Sequence, residues 1–152
     1  MLTFSSCGSG GGPSEDEREA NVYALVIRTL ASDEPIGTDA TPDELDRIVY
    51  VGSLDAERTI SLDVQAAVVE TLEDFATIRF VDEMGEAIDD SADGEPVLED
   101  GVLLVLGAVP TGRSPSVEAE RYVDLNDDQH FRIGFERSNG EWSVVNLDTI
   151  EP

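Results

Sequence analysis

Between Asp89 and Asp100 the chain reads DDSADGEPVLED, and its oxygens fall at the spacing of a calcium loop. Counted from Asp89, oxygen donors stand at positions one, three and five (Asp89, Ser91, Asp93). Glycine follows at six (Gly94), and a carboxylate stands at twelve (Asp100). That is the pattern by which an EF-hand loop wraps calcium. Asp100 reaches less far than the usual Glu, and Pro96 occupies a position that normally pairs across loops. The flanking segments read as strands rather than helices. With 34 acidic residues in the chain, chance matches are expected. Two readings therefore stand side by side, a calcium site on Asp89, Ser91, Asp93 and Asp100 or an acidic connection.

Other chemistry is sparse. His130 is the only histidine, and no serine or cysteine stands in a nucleophile motif with it. One His and one Cys do not make an ordinary structural zinc site. The glycines carry neither a phosphate loop nor a dinucleotide fingerprint. Glu118 and Glu120 share one strand face and are expected to be solvated rather than paired for hydrolysis. If the fold encloses a ligand pocket, Tyr23, Tyr50, His130 and Trp142 are the side chains expected to line it. The expectation is a domain without catalysis, needing no cofactor unless the loop takes calcium.

The charge balance narrows the partners. Nine basic residues, all Arg, stand against 34 acidic ones, a formal net charge of −25. Nucleic acid and anionic membrane are disfavoured, because phosphate contacts need clusters of Lys and Arg. Such a surface suits solvation in concentrated salt, where the Debye length falls to about 3 Å at 1 M. A functional acidic face is the other reading of the same charge.

The elements that would position these residues follow from periodicity. Val102–Val109 (VLLVLGAV) is an apolar run between turn signals, and reads as a strand buried on both faces. Ser14 and Glu17 fit a capping box for a helix ending near Leu30 or Ala31. Its apolar face is broad enough to predict deep burial against a sheet. Arg47–Ser53 reads as a strand, Leu62–Phe75 as a second helix capped by Ser61, and Thr77–Asp82 as a strand. Asp82–Gly101 reads as a long acidic loop. Ser116–Asp124, the alternating run around Phe131, Ile133 and Phe135, and Glu141–Leu147 complete the strands, with Asn139-Gly140 as a hairpin turn. The order predicts an α+β fold: a mainly antiparallel twisted sheet of about five to six strands, with two helices packed on one face.

Two resemblances bear on organisation. The start, MLTFSSCG followed by SGGGPS, resembles the end of a bacterial lipoprotein signal, in which the Cys carries lipid and a Gly/Ser tether follows. It implies lipidation at Cys7, a tether over residues 1–13 and a single domain over 14–152. It also implies an extracytoplasmic location, membrane-anchored through that lipid alone, or otherwise secreted. The segments VYALVIRTL, RIVYVGS, DGVLLVLG and GEWSVV together resemble small bacterial secreted or lipoprotein domains across about residues 21–145. The closing GEWSV is also similar to the last strand of cone-shaped domains like nuclear transport factor two. Neither likeness brings site residues. Two functions follow: a tethered, non-catalytic domain binding a protein partner or small ligand, or a cone-shaped domain with an internal pocket for ligand binding or catalysis.

Overall fold

The computed structural model describes residues 14–31 and 47–151. Helix α1 (Glu15–Ala31) leads to strand β1 (Ile48–Ser53), helix α2 (Leu62–Thr71) and strand β2 (Thr77–Phe80). Strands β3 (Val102–Leu106), β4 (Ser116–Asp124), β5 (Asp127–Ser138) and β6 (Glu141–Ile150) follow. The architecture is α+β, with a six-stranded, mostly antiparallel open sheet in the order β2-β1-β3-β4-β5-β6. The expected strands and helices are all present. β6 continues three residues beyond its predicted end, whereas α2, β2 and β3 stop earlier than predicted.

Local signals act as expected at several ends. Glu17 N–H donates to Ser14 Oγ at 3.2 Å, and Ser14 N–H donates to a Glu17 carboxylate oxygen at 3.3 Å. Ser61 Oγ accepts from Val64 N–H at 3.2 Å and starts α2. Asn139 (φ 54°) and Gly140 (φ 81°) supply the left-handed pair that a tight hairpin turn requires between β5 and β6.

The sheet is mixed because α2 carries the chain over from β1 to β2, and the connection after β2 carries it back across β1 to β3. β1 therefore pairs in parallel with β2 on one side and with β3 on the other. From β3 onward each strand turns directly into its neighbour, and the pairing is antiparallel. All five residues of β3 are buried, as expected of a strand covered on both faces. One face packs against both helices: Val22, Tyr23, Val26 and Ile27 of α1 meet Leu104, Leu106, Ile133 and Phe135 of the sheet in one core.

The other face carries its own smaller core of Tyr50, Leu103, Val105 and Tyr122 under Ala87 and Val97. The cover is the acidic connection between β2 and β3. This segment is ordered: it contains short 3-10 turns at Met84–Ala87 and Leu98–Asp100, and an antiparallel bridge between Ile88 and Val97. Its backbone is fastened to β4 by Val97 N–H on the Val123 carbonyl, and the Tyr122 hydroxyl donates to the Glu95 carbonyl at 2.7 Å. Tyr122 is thus buried, although its alternation with Val123 predicts a solvent-facing side chain.

Candidate functional site

The carboxylates of the calcium pattern, Asp89, Asp93 and Asp100, do not come together as a donor cluster. Asp89 N–H donates to the Pro96 carbonyl, so the first position of the pattern pairs with the eighth. Residues 90–95 close a hairpin-like turn, and Asp100 lies beyond it in the next 3-10 turn. The Asp89 carboxylate is engaged locally instead, accepting from Ser91 N–H and from Ser91 Oγ at 2.6 Å. Those Ser91 bonds hold the Asp89 carboxyl below its ordinary range. Asp89, Asp93 and Asp100 form no cluster of metal donors.

The four ring residues divide between the two faces of the sheet. Tyr23 is fully buried in the helix-covered core, and its hydroxyl donates to the Gly107 carbonyl at 2.9 Å. Burial, then the nearby Glu19 carboxylate, pushes its pKa up to about 12. Tyr50 lies on the opposite face, where its hydroxyl donates to Glu99 at 2.9 Å. Arg79 reaches the same Glu99 carboxylate and the Tyr50 ring. The Tyr50 bond and the Arg79 contact draw the Glu99 carboxyl downward.

His130 meets two carboxylates that periodicity alone leaves apart. Strands β4 and β5 place Glu120 directly opposite His130, and Asp128 is two residues from His130 on the same strand. Donor atoms of Glu120, Asp128 and His130 all lie within 4.8 Å of one another, with His130 Nε2 3.7 Å from Asp128. Burial, then the neighbouring Asp128 charge, raises the Glu120 carboxyl above its ordinary value. Among the described residues this is the set whose donors could meet on one metal ion. One imidazole and two carboxylates suit a first-row transition ion better than calcium. The signal that could have found it is the turn near Asn126: once β4 and β5 are folded back there, Glu120 and His130 fall opposite each other.

Trp142 is the centre of a different site. It is half-buried on the helix-covered side of β6, directly across from Arg137. Its ring is flanked by the Arg18 guanidinium at 5.3 Å and the Arg137 guanidinium at 5.9 Å from the ring centre. Arg18 is itself held in place by the Pro110 and Gly112 carbonyls. On one side of the indole a groove of about 460 Å³ is lined by Arg18, Arg113, Arg137, Ser138 and Asn139. On the other side a groove of about 360 Å³ runs along α1, past Asn21, Leu25 and Arg28, with Glu141 at its rim. The indole Nε1 is buried without a hydrogen-bond partner, alone in this among the described side chains. Such orphan donors are uncommon in folded proteins. Trp142 was legible in the sequence as a ring for a ligand; Arg18 and Arg113 were not, because they are distant along the chain, whereas Arg137 faces it through the register of the Asn139-Gly140 hairpin.

No protein-family model, no curated protein and no solved structure matches this chain.

Proposed function

We propose that this protein is a non-catalytic binding domain that receives its ligand in the grooves on either side of Trp142. The observation that carries the reading is the placement of the single tryptophan at a cleft between α1 and the β5–β6 hairpin, half-buried, with polar groups on both sides. Clefts with an aromatic body and a few directed polar groups are the common form of small-molecule sites. A pocket inside the fold has less support, since Tyr23 is fully buried and bonded to backbone, while Tyr50 and His130 belong to the other face.

The same reading takes the Gly/Ser stretch before Ser14 as a tether to a surface through lipid on Cys7. The resemblance to lipoprotein signals supports it; Cys7 lies outside the described residues. Mass spectrometry of protein expressed with a full upstream signal tests the tether, and an unmodified Cys7 overturns it.

The binding reading is tested with a panel of small molecules, both charged and neutral. Trp142 is the only tryptophan, so its emission reports on the cleft directly. A saturable change in that emission is expected for at least one class of compound. A flat response across the whole panel overturns the reading.

A further inference from the structure

In a chain with a net charge of −25, an arginine without a carboxylate partner is unusual, and of the four among the described residues, Arg18, Arg28, Arg113 and Arg137, three share one groove. Among the described residues Arg58 pairs with Glu19, Arg79 with Glu99, Arg121 with Asp127 and Arg132 with Glu118. Arg18, Arg113 and Arg137 form no ion pair with any described carboxylate, and all three line the larger groove beside Trp142. The Trp142 ring itself lines the same groove, between the Arg18 and Arg137 guanidiniums. Three cations thus gather around one aromatic ring in a chain that is otherwise strongly acidic.

Resting on the Trp142 cleft as the binding site, we infer that its ligand is a small molecule carrying an oxyanion, a carboxylate or a phosphate, held by Arg18, Arg113 and Arg137. Arginine presents N–H donors in a planar fork that matches both groups. Ser138 and Asn139 add neutral polar groups at the hairpin end of the groove. The position of Arg18 is set before a ligand arrives, because the Gly112 carbonyl accepts from its Nη2 at 3.0 Å and the Pro110 carbonyl holds the same nitrogen. Arg137 is set by its place opposite Trp142 in the hairpin ladder. Glu141 lies on the far side of the indole, which directs the anionic end of the ligand to the Arg113 side.

Size is decided by the rest of the surface. A large polyanion such as nucleic acid or an acidic protein would meet the repulsion of the whole molecule. A small anion meets mainly the local field of the three guanidiniums. In molar salt the long-range repulsion is screened, while contacts at hydrogen-bond distance persist in part.

The test uses the full chain and three probes: inorganic phosphate, benzoate and the neutral isostere benzamide. Binding is read by Trp142 emission and by calorimetry. The variants are Arg113→Gln and Arg137→Gln, with Arg132→Gln, an arginine paired on the opposite face, as control. Melting curves establish that each variant is folded. Saturable binding of phosphate or benzoate is expected, weakened at least about tenfold in Arg113→Gln and Arg137→Gln, as for loss of a charge-assisted hydrogen bond. Arg132→Gln should bind as the parent does. Phosphate alone binding identifies a phosphate ligand, and benzoate alone identifies a carboxylate. If benzamide or other neutral compounds bind as well as the anions, and the arginine variants bind unchanged, the oxyanion inference is overturned while the cleft stands. If no probe or panel compound binds, both are overturned.

Discussion

The Tyr23 hydroxyl donates to the Gly107 carbonyl at 2.9 Å, tying the middle of α1 to the end of β3 inside the core. Gly107 is the residue at which the buried strand β3 stops, and its N–H is bonded to the Glu118 carbonyl of β4 at 2.7 Å. A side chain there would bring a Cβ within 2.9 Å of that same carbonyl, so the close approach needs glycine. The helix is thus fixed to the sheet at a point where the β3 and β4 backbones approach closely. Arg58 donates to the same Tyr23 oxygen and pairs with Glu19, extending the link from α1 toward the segment before α2.

Tyr23→Phe should lower stability by about 1–2 kcal/mol, since it leaves the Gly107 carbonyl without this donor. It should also change the alkaline limb. In the fold Tyr23 keeps its proton up to about pH 12, against 10.0 for the ordinary phenol. Between those values the unfolded chain has released a proton that the folded chain retains. Stability from this group is therefore complete below pH 10 and is lost as pH rises through about 12. Urea unfolding across that range should show a shallower decline in the variant than in the parent.

Arg121 is the buried charged residue of the sheet, 8 % exposed. Its Nε donates to the Leu30 carbonyl at the end of α1, at 3.1 Å, and its Nη1 contacts both Asp127 carboxylate oxygens. Arg121→Met keeps the stem but leaves the carbonyl and the carboxylate without that partner. A loss of about 2–3 kcal/mol is expected, below the full cost of a broken buried pair because Asp127 is partly exposed. Chemical denaturation measures it, and an unchanged midpoint would show that the Arg121 bonds add nothing net.

Trp142→Ala should cost about 2 kcal/mol, less than the ~3–5 kcal/mol of a fully buried aromatic, because the indole is only half-buried and lines both grooves. Trp142→Phe should cost less again, since it removes a buried N–H that has no partner. Circular dichroism in urea gives both values. A loss above about 4 kcal/mol in the alanine variant would place the indole in the packed core instead of at a binding cleft.

The melting temperature should rise as sodium chloride is raised into the molar range. Screening weakens repulsion among the 34 carboxylates and leaves apolar burial little harmed. A melting temperature that falls with salt would mean that attractive ion pairs such as Arg58–Glu19 outweigh the general repulsion.

What the sequence determined by itself is local. The Ser14–Glu17 capping box, the Ser61 cap and the Asn139-Gly140 turn each act within a few residues, so composition and spacing suffice to read them. The five buried residues of β3 were legible for the same reason: an uninterrupted apolar run has no face to show to water. Tertiary structure decided what depends on distant segments meeting. The parallel pairing of β1 with β2 and β3 follows from two crossovers, α2 on one face and the acidic connection on the other. Tyr122 is buried because the acidic connection folds back over it, which its own alternation could not reveal. The calcium spacing around Asp89 was a true pattern along the chain, but the Asp89–Pro96 backbone bond closes a turn inside it and its carboxylates form no donor cluster. Glu120, Asp128 and His130 converge only once β4 and β5 are in register. Arg18 reaches Trp142 because α1 lies against the β5–β6 hairpin, and Arg113 joins the groove because the β3–β4 loop bonds to Arg137 of that hairpin. Periodicity reports which face a residue takes, but a site joins faces of different elements, and that joining is a property of the packed fold.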